Sequence, residues 1–100
     1  MDQRAQEELQ KHLTHLPGWT FDGQALVREY HFPDFRAALA FVNTIADLAE
    51  ITGQHPEIRI AGPRVTFACS NRITKKVSLP DIQLARQIQN AADSQDALAG

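Results

Sequence analysis

Cysteine is almost absent from this chain: Cys69 stands alone among 100 residues. No internal disulfide can staple the fold and no cysteine cluster can hold zinc. That scarcity suits a reducing, cytosolic compartment. Long apolar runs are missing too, and a bilayer-spanning helix needs roughly 20 such residues. Nor does charge of one sign prevail. Ten Lys and Arg face twelve Asp and Glu, a formal net charge of −2, which removes wholesale attraction to nucleic acid or anionic lipid. The opening MDQRAQEELQK is polar and does not read as a signal peptide. Repeats and low-complexity linkers are lacking as well. With 43% apolar residues, the expectation is one small soluble intracellular domain over residues 1–100, built on one core.

What is present alternates between helical and strand periodicity. Residues 3–13, with Ala5, Leu9, Leu13 and Leu16 roughly on one side, predict an amphipathic helix that Pro17 and Gly18 end. TFDGQALVREYHF predicts two strands around a turn at Asp22-Gly23. Leu26, Arg28, Tyr30 and Phe32 fall on one face, and Val27, Glu29 and His31 on the other. A long helix is expected over 33–53, capped by Asp34 and closed by Gly53. Its predicted buried stripe is Phe35, Ala38, Val42, Ile45 and Ala49, flanked by Leu39, Ala46 and Leu48. EIRIAG and RVTFACS form a second hairpin about Gly62-Pro63, with Ile58 and Ile60 on one face and Val65, Phe67 and Cys69 on another. A polar loop at 70–79 leads to a last helix burying Ile82, Ala85, Ile88 and Ala92, and the final DALAG is expected to fray. The order α-β-β-α-β-β-α implies an α+β fold, a four-stranded antiparallel sheet with three helices packed on one face. The other face and the edge strands stay open, a common route to dimers.

The stretch AEITGQHPEI, residues 49–58, draws chemical interest. Glu50 lies in a last helical turn, where a carboxylate meets the negative end of the helix dipole at a cost of about 0.3–1 kcal/mol. A solvated glutamate is the plain reading of that position and functional acceptance of the cost the sharper one. His55 is either a proton carrier near neutral pH or a strand-start histidine bonded to backbone.

Together with their flanks these residues resemble the pterin carbinolamine dehydratase family. The likeness rests on GW at 18–19, LVREYHFPDF at 26–35, AEITGQHPEI at 49–58 and DIQLARQI at 81–88, and it covers nearly the whole chain. It implies the fold just described, assembled as dimers or tetramers. The family motif is Glu, three residues, His-His-Pro, then a Thr-His pair and a Gly-Leu-Thr/Ser stretch. Glu50, His55 and Pro56 match it. Gln54 stands where the first His belongs, the Thr-His pair falls on Cys69-Ser70, and NRITKKVSLPD replaces the last stretch with about two residues more. Of the implied histidine triad only His55 remains.

Dehydrating a pterin carbinolamine removes a ring N–H proton and protonates the departing hydroxyl. Two imidazoles can share those tasks, whereas a glutamine amide neither takes nor gives a proton at neutral pH. The resemblance therefore implies a degenerate site at Glu50, Gln54, His55, Pro56 and Ser70, without an intact catalytic set. No metal and no cofactor are expected.

A binding role is then the natural expectation. From Arg59 to Pro80 the chain carries Arg59, Arg64, Arg72, Lys75 and Lys76 and no acidic residue. This stretch is either a solvated surface or a dock for an acidic partner. Nucleic acid fits less well, because no aromatics interleave with the cations. Within the family, a branch with a degraded motif resembles the RuBisCO assembly factor of α-carboxysomes. The resemblance thus implies a catalytically inactive homodimer, or a tetramer, acting on the RuBisCO large subunit in a bacterial cytoplasm, with carboxysome association. The alternative is a divergent carbinolamine dehydratase with residual activity.

Overall fold

The structure, a computed structural model, describes residues 3–71, 73, 74 and 76–99, and within its first and last helices the side chains of 3–6, 8 and 95–99 are not described. Three helices and four strands follow one another as α1 (Gln3–Leu13), β1 (Thr20–Phe21), β2 (Leu26–His31), α2 (Phe35–Thr52), β3 (Glu57–Ala61), β4 (Arg64–Cys69) and α3 (Leu79–Ala99). The strands form one antiparallel sheet in the order β1-β2-β4-β3. This is the α+β arrangement that the alternating periodicities predict.

Register follows from the turns. Ala61 faces Arg64 across β3 and β4, so Gly62 and Pro63 are the whole turn. Gly62 takes φ 59°, the left-handed conformation that such a tight hairpin requires and that only glycine adopts freely. The first hairpin differs slightly from expectation. Its turn is centred one residue later, on Gly23-Gln24, because Asp22 stays in the ladder and bonds Ala25 O through its own N–H at 3.1 Å. The Asp22 carboxylate accepts the backbone N–H groups of Gln24 and Ala25 at 2.9 and 2.8 Å. Those two bonds hold its pKa below the usual value.

Alternation along β4 sends Val65, Phe67 and Cys69 into the core and leaves Arg64, Thr66 and Ala68 on the opposite, open face. Against this inner face pack Ala38, Phe41, Ile45 and Ala49 of α2, Ile82, Leu84, Ala85, Ile88 and Ala92 of α3, and Leu9 of α1. Phe41 sits at the centre, with ring centroids 5.7 Å from both Tyr30 and Phe67 and 5.2 Å from Phe32. Aromatic pairs at such spacing add about 0.5–1.5 kcal/mol each beyond area burial. Two sequence expectations need correction here. Phe41, outside the predicted stripe of α2, is buried, while Phe35 is 52% exposed; the stripe is rotated so that 38, 41, 45 and 49 face inward. The segment expected to fray continues as helix to Ala99, since no Gly or Pro interrupts 81–99.

A polar clamp fixes α3 to β2. Gln89 Oε1 accepts from Trp19 Nε1 at 3.2 Å, from Arg28 Nη1 at 2.6 Å and from the Tyr30 hydroxyl at 3.4 Å. Arg28 also donates to Pro17 O and lies 4.3 Å from the centre of the Tyr30 ring. Burial raises the Tyr30 pKa above its ordinary value, partly countered by Arg28. Gly18 makes room for this arginine, since a Cβ there would meet the guanidinium at 2.7 Å.

Candidate functional site

The segment of interest begins where α2 stops. Asp34 caps the start, its Oδ1 accepting from Ala37 N at 2.8 Å. Gly53 ends the helix in the left-handed conformation at φ 74°, its N–H bonded to Ala49 O at 2.8 Å. Gln54 N donates to Thr52 Oγ1 at 3.3 Å, which steers the chain out of the helix, and buried Pro56 leads into β3. Gln54 is half-buried, whereas Glu50 and His55 are exposed.

The end of β4 completes the arrangement. Cys69 points into the core, and Ser70, next along an alternating strand, turns the other way. A hollow of about 220 Å³ is lined by Gly53, Gln54, His55, Ser70, Asn71 and Ile73. A neighbouring one of similar volume is lined by His55, Glu57, Ala68 and Ser70. The fold thus gathers Gln54, His55 and Ser70 from two elements. Glu50 lines neither hollow. Cys69 cannot substitute chemically for a missing base, since burial pushes its thiol up to about 12. Among the described residues, no three His, Cys, Asp or Glu side chains gather to hold a metal.

Most of the chain is covered by a likeness to one known group. The family model described as pterin 4 alpha carbinolamine dehydratase matches residues 2–91. The chain belongs to this family. A Koribacter versatilis protein, provisionally named pterin-4-alpha-carbinolamine dehydratase, is 42% identical over 81 residues, 81% of this chain and 86% of that protein. A Thermomicrobium roseum protein with the same provisional name is 42% identical over 80 residues, covering 80% and 86%. Among solved structures, a transcriptional coactivator/pterin dehydratase from Brucella melitensis superposes with a TM-score of 0.79 at 33% identity, over 86% of this chain and 94% of that one. A pterin dehydratase-like protein described as a RuBisCO assembly factor in the alpha-carboxysome gives a TM-score of 0.65 at 25% identity, over 78% and 93%.

In this pterin dehydratase-family chain, the residues aligned with the motif histidines by resemblance, Gln54, His55 and Ser70, all reach one hollow. The chemistry available there is hydrogen bonding by an amide and a hydroxyl, with a single imidazole. The basic residues are more scattered. Arg59 and Arg64 lie on the open sheet face, 3.6 Å from Glu57 and 3.8 Å from Glu29, and His31 also reaches Glu29 at 3.5 Å. Lys76 sits exposed in the loop after β4. Arg72 and Lys75 lie outside the described residues. The run of positive charge in sequence is therefore interleaved with carboxylates on the sheet. No helix among the described residues is long and apolar enough to cross a membrane.

Sequence reasoning passed over Asp81, which is 3% exposed. Its Oδ2 accepts from Ser78 N at 2.9 Å and Ser78 Oγ at 2.8 Å, while Asp81 N donates to the Ser78 carbonyl at 3.0 Å, and these bonds start α3 and anchor the end of the loop. The Ser-x-x-Asp spacing is the signal that finds it.

Proposed function

We propose that this protein is a catalytically silent member of the pterin dehydratase family that serves as an assembly factor for RuBisCO, capturing its large subunit in a bacterium with α-carboxysomes. The observation that carries this reading is the hollow lined by Gln54, His55 and Ser70. One imidazole is left for two proton transfers, with an amide and a hydroxyl that do not titrate near neutrality. Losing an acid–base group costs about 10²–10⁴-fold in rate, and two of three are replaced. The likeness to a RuBisCO assembly factor supplies the alternative employment for a fold so fully specified. A homodimer belongs to this reading. The outer edge of β3 is open, with Ile60 41% exposed beside it, and such an edge favours pairing.

A second reading, a divergent dehydratase in which Gln54 orients substrate and His55 alone moves protons, is favoured by the retained Glu50, His55 and Pro56 and by the names of the relatives. Decay of a freshly generated carbinolamine, followed with and without the protein, separates the two. No acceleration by the wild type is expected, and Gln54→His is expected to restore a measurable rate. Acceleration that disappears in His55→Ala refutes the silent reading. Capture of RuBisCO large subunits by the purified protein tests the other half.

A further inference from the structure

We propose that a second copy of this chain pairs antiparallel with the free edge of β3 in one register set by charge, Glu57 of each copy opposite Arg59 of the other, and that the second copy's β3–β4 turn thereby walls the hollow at His55. The proposal rests on the homodimer of the reading above and is independent of what that dimer captures.

β3 closes one end of the sheet, and each of its residues except Ile58 is exposed. The opposite edge, β1, has two residues and offers no comparable ladder. Ala61 and Arg64 flank a two-residue turn and so exchange hydrogen bonds with each other. By alternation Glu57 and Arg59 also turn their N–H and C=O toward β4, whereas Ile58 and Ile60 turn theirs outward. The side chains of these two isoleucines stand opposite buried Phe67 and Val65, on the inner face, yet Ile60 remains 41% exposed. A second β3 supplies both the missing backbone partners and an apolar neighbour.

Charge selects the register. Outward-turned residues must meet outward-turned residues, so the twofold axis passes through residue 57, 58, 59 or 60. An axis at Glu57 sets two glutamates face to face, and one at Arg59 sets two arginines face to face. An axis at Ile60 places Arg59 opposite Ala61 and leaves both charges without a cross-strand partner. An axis at Ile58 places Glu57 opposite Arg59 twice. Within one copy these side chains already lie 3.6 Å apart on the outer face, so the four charges alternate in sign. Opposite charges directly across a strand pair stabilise it, and like charges there destabilise it. This register also serves the backbone. The two Ile58 residues exchange hydrogen bonds, and each Ile60 N–H meets the carbonyl of Pro56, a residue with no N–H to offer.

Continued two residues toward α2, the same register sets Ala61 of the second copy opposite His55. The Gly62-Pro63 turn that follows then arrives at the Gln54 end of the hollow, which His55 and Gln54 line. The site is shared between two copies.

Single-cysteine variants read the register by oxidation, and buried Cys69 takes no part. Glu57→Cys mixed with Arg59→Cys is expected to give a disulfide-linked dimer, because opposite residues at these positions lie about 4.5 Å apart at Cα. Neither variant alone links, since its own two cysteines sit on the diagonal at about 7–8 Å. His55→Cys mixed with Ala61→Cys is expected to link as well. In sedimentation, Arg59→Glu is expected to weaken the dimer about tenfold or more. The charge exchange E57R/R59E restores it to within about threefold. Linking by Arg59→Cys alone, or by Glu57→Cys alone, overturns the register and leaves the dimer standing, and so does a dimer indifferent to Arg59→Glu. Failure of the 55–61 pair alone overturns the shared site. Sedimentation that finds only monomers overturns the homodimer and the register together.

Discussion

Replacing Gln89 by Leu takes one acceptor away from three donors while keeping nearly the same volume. Trp19 is buried and its indole N–H has Gln89 Oε1, at 3.2 Å, as its partner. A buried donor left without an acceptor costs about 1–3 kcal/mol. Arg28 loses a 2.6 Å bond but keeps Pro17 O and is half-exposed, so its share is discounted to below about 1 kcal/mol. The Tyr30 contact, at 3.4 Å, is long and adds little. Together the loss comes to about 2–3 kcal/mol, which lowers Tm by roughly 10–20 °C in a domain of this size. Trp19 is the chain's single tryptophan, so urea titration followed by its fluorescence watches the clamp itself. The midpoint is expected to fall with the slope unchanged, at one protein concentration because self-association shifts the curve. Gln89→Glu keeps an acceptor and stays near wild type, less a few tenths of a kcal/mol for facing Asp93 one turn on. A Gln89→Leu variant within about 0.5 kcal/mol of wild type refutes the reasoning.

Two further perturbations follow from the same kind of accounting. Cys69 titrates at about 12 in the fold against 9.0 for the free thiol; because the folded state holds the proton more tightly, stability is unaffected below pH 9 and is lost as pH rises toward 12. At about 1.4 kcal/mol per pKa unit that loss approaches 4 kcal/mol, and alkaline unfolding of Cys69→Ala is expected to lack this limb and keep the one from Tyr30. Gly53→Ala meets no atom within 4 Å but must hold φ at 74°, so urea titration is expected to show a loss of about 1 kcal/mol, and less for Gly53→Asn.

Local signals in the sequence carried far. Asp34 and Gly53 bracket α2 because a cap and a left-handed stop act within one turn, and β4 is legible because each second residue is apolar. The buried face of α2 was less so. Steps of three and four admit more than one stripe, and the aromatic cluster around Phe41, which selects among them, joins β2, α2 and β4. The same limit hid the clamp, whose bonds to Gln89 span 70, 61 and 59 residues. It also made Arg59 to Lys76 read as one basic surface, when Glu29 meets Arg64 from another strand. At the candidate site, Gln54, His55 and Ser70 were legible as a group through family resemblance, and the structure adds that they share a hollow. Ile73 carries no periodicity and gave no signal.

Gln54, His55 and Ser70 hang from a helix stop and a strand end, and none belongs to the hydrophobic core. Exchanging an imidazole for an amide or a hydroxyl there takes nothing from the hydrophobic core. A lineage can therefore shed its proton chemistry one residue at a time, each intermediate as foldable as the last. Foldability and chemistry are separately heritable in this scaffold, so a new employment can be tried before the old one is wholly given up.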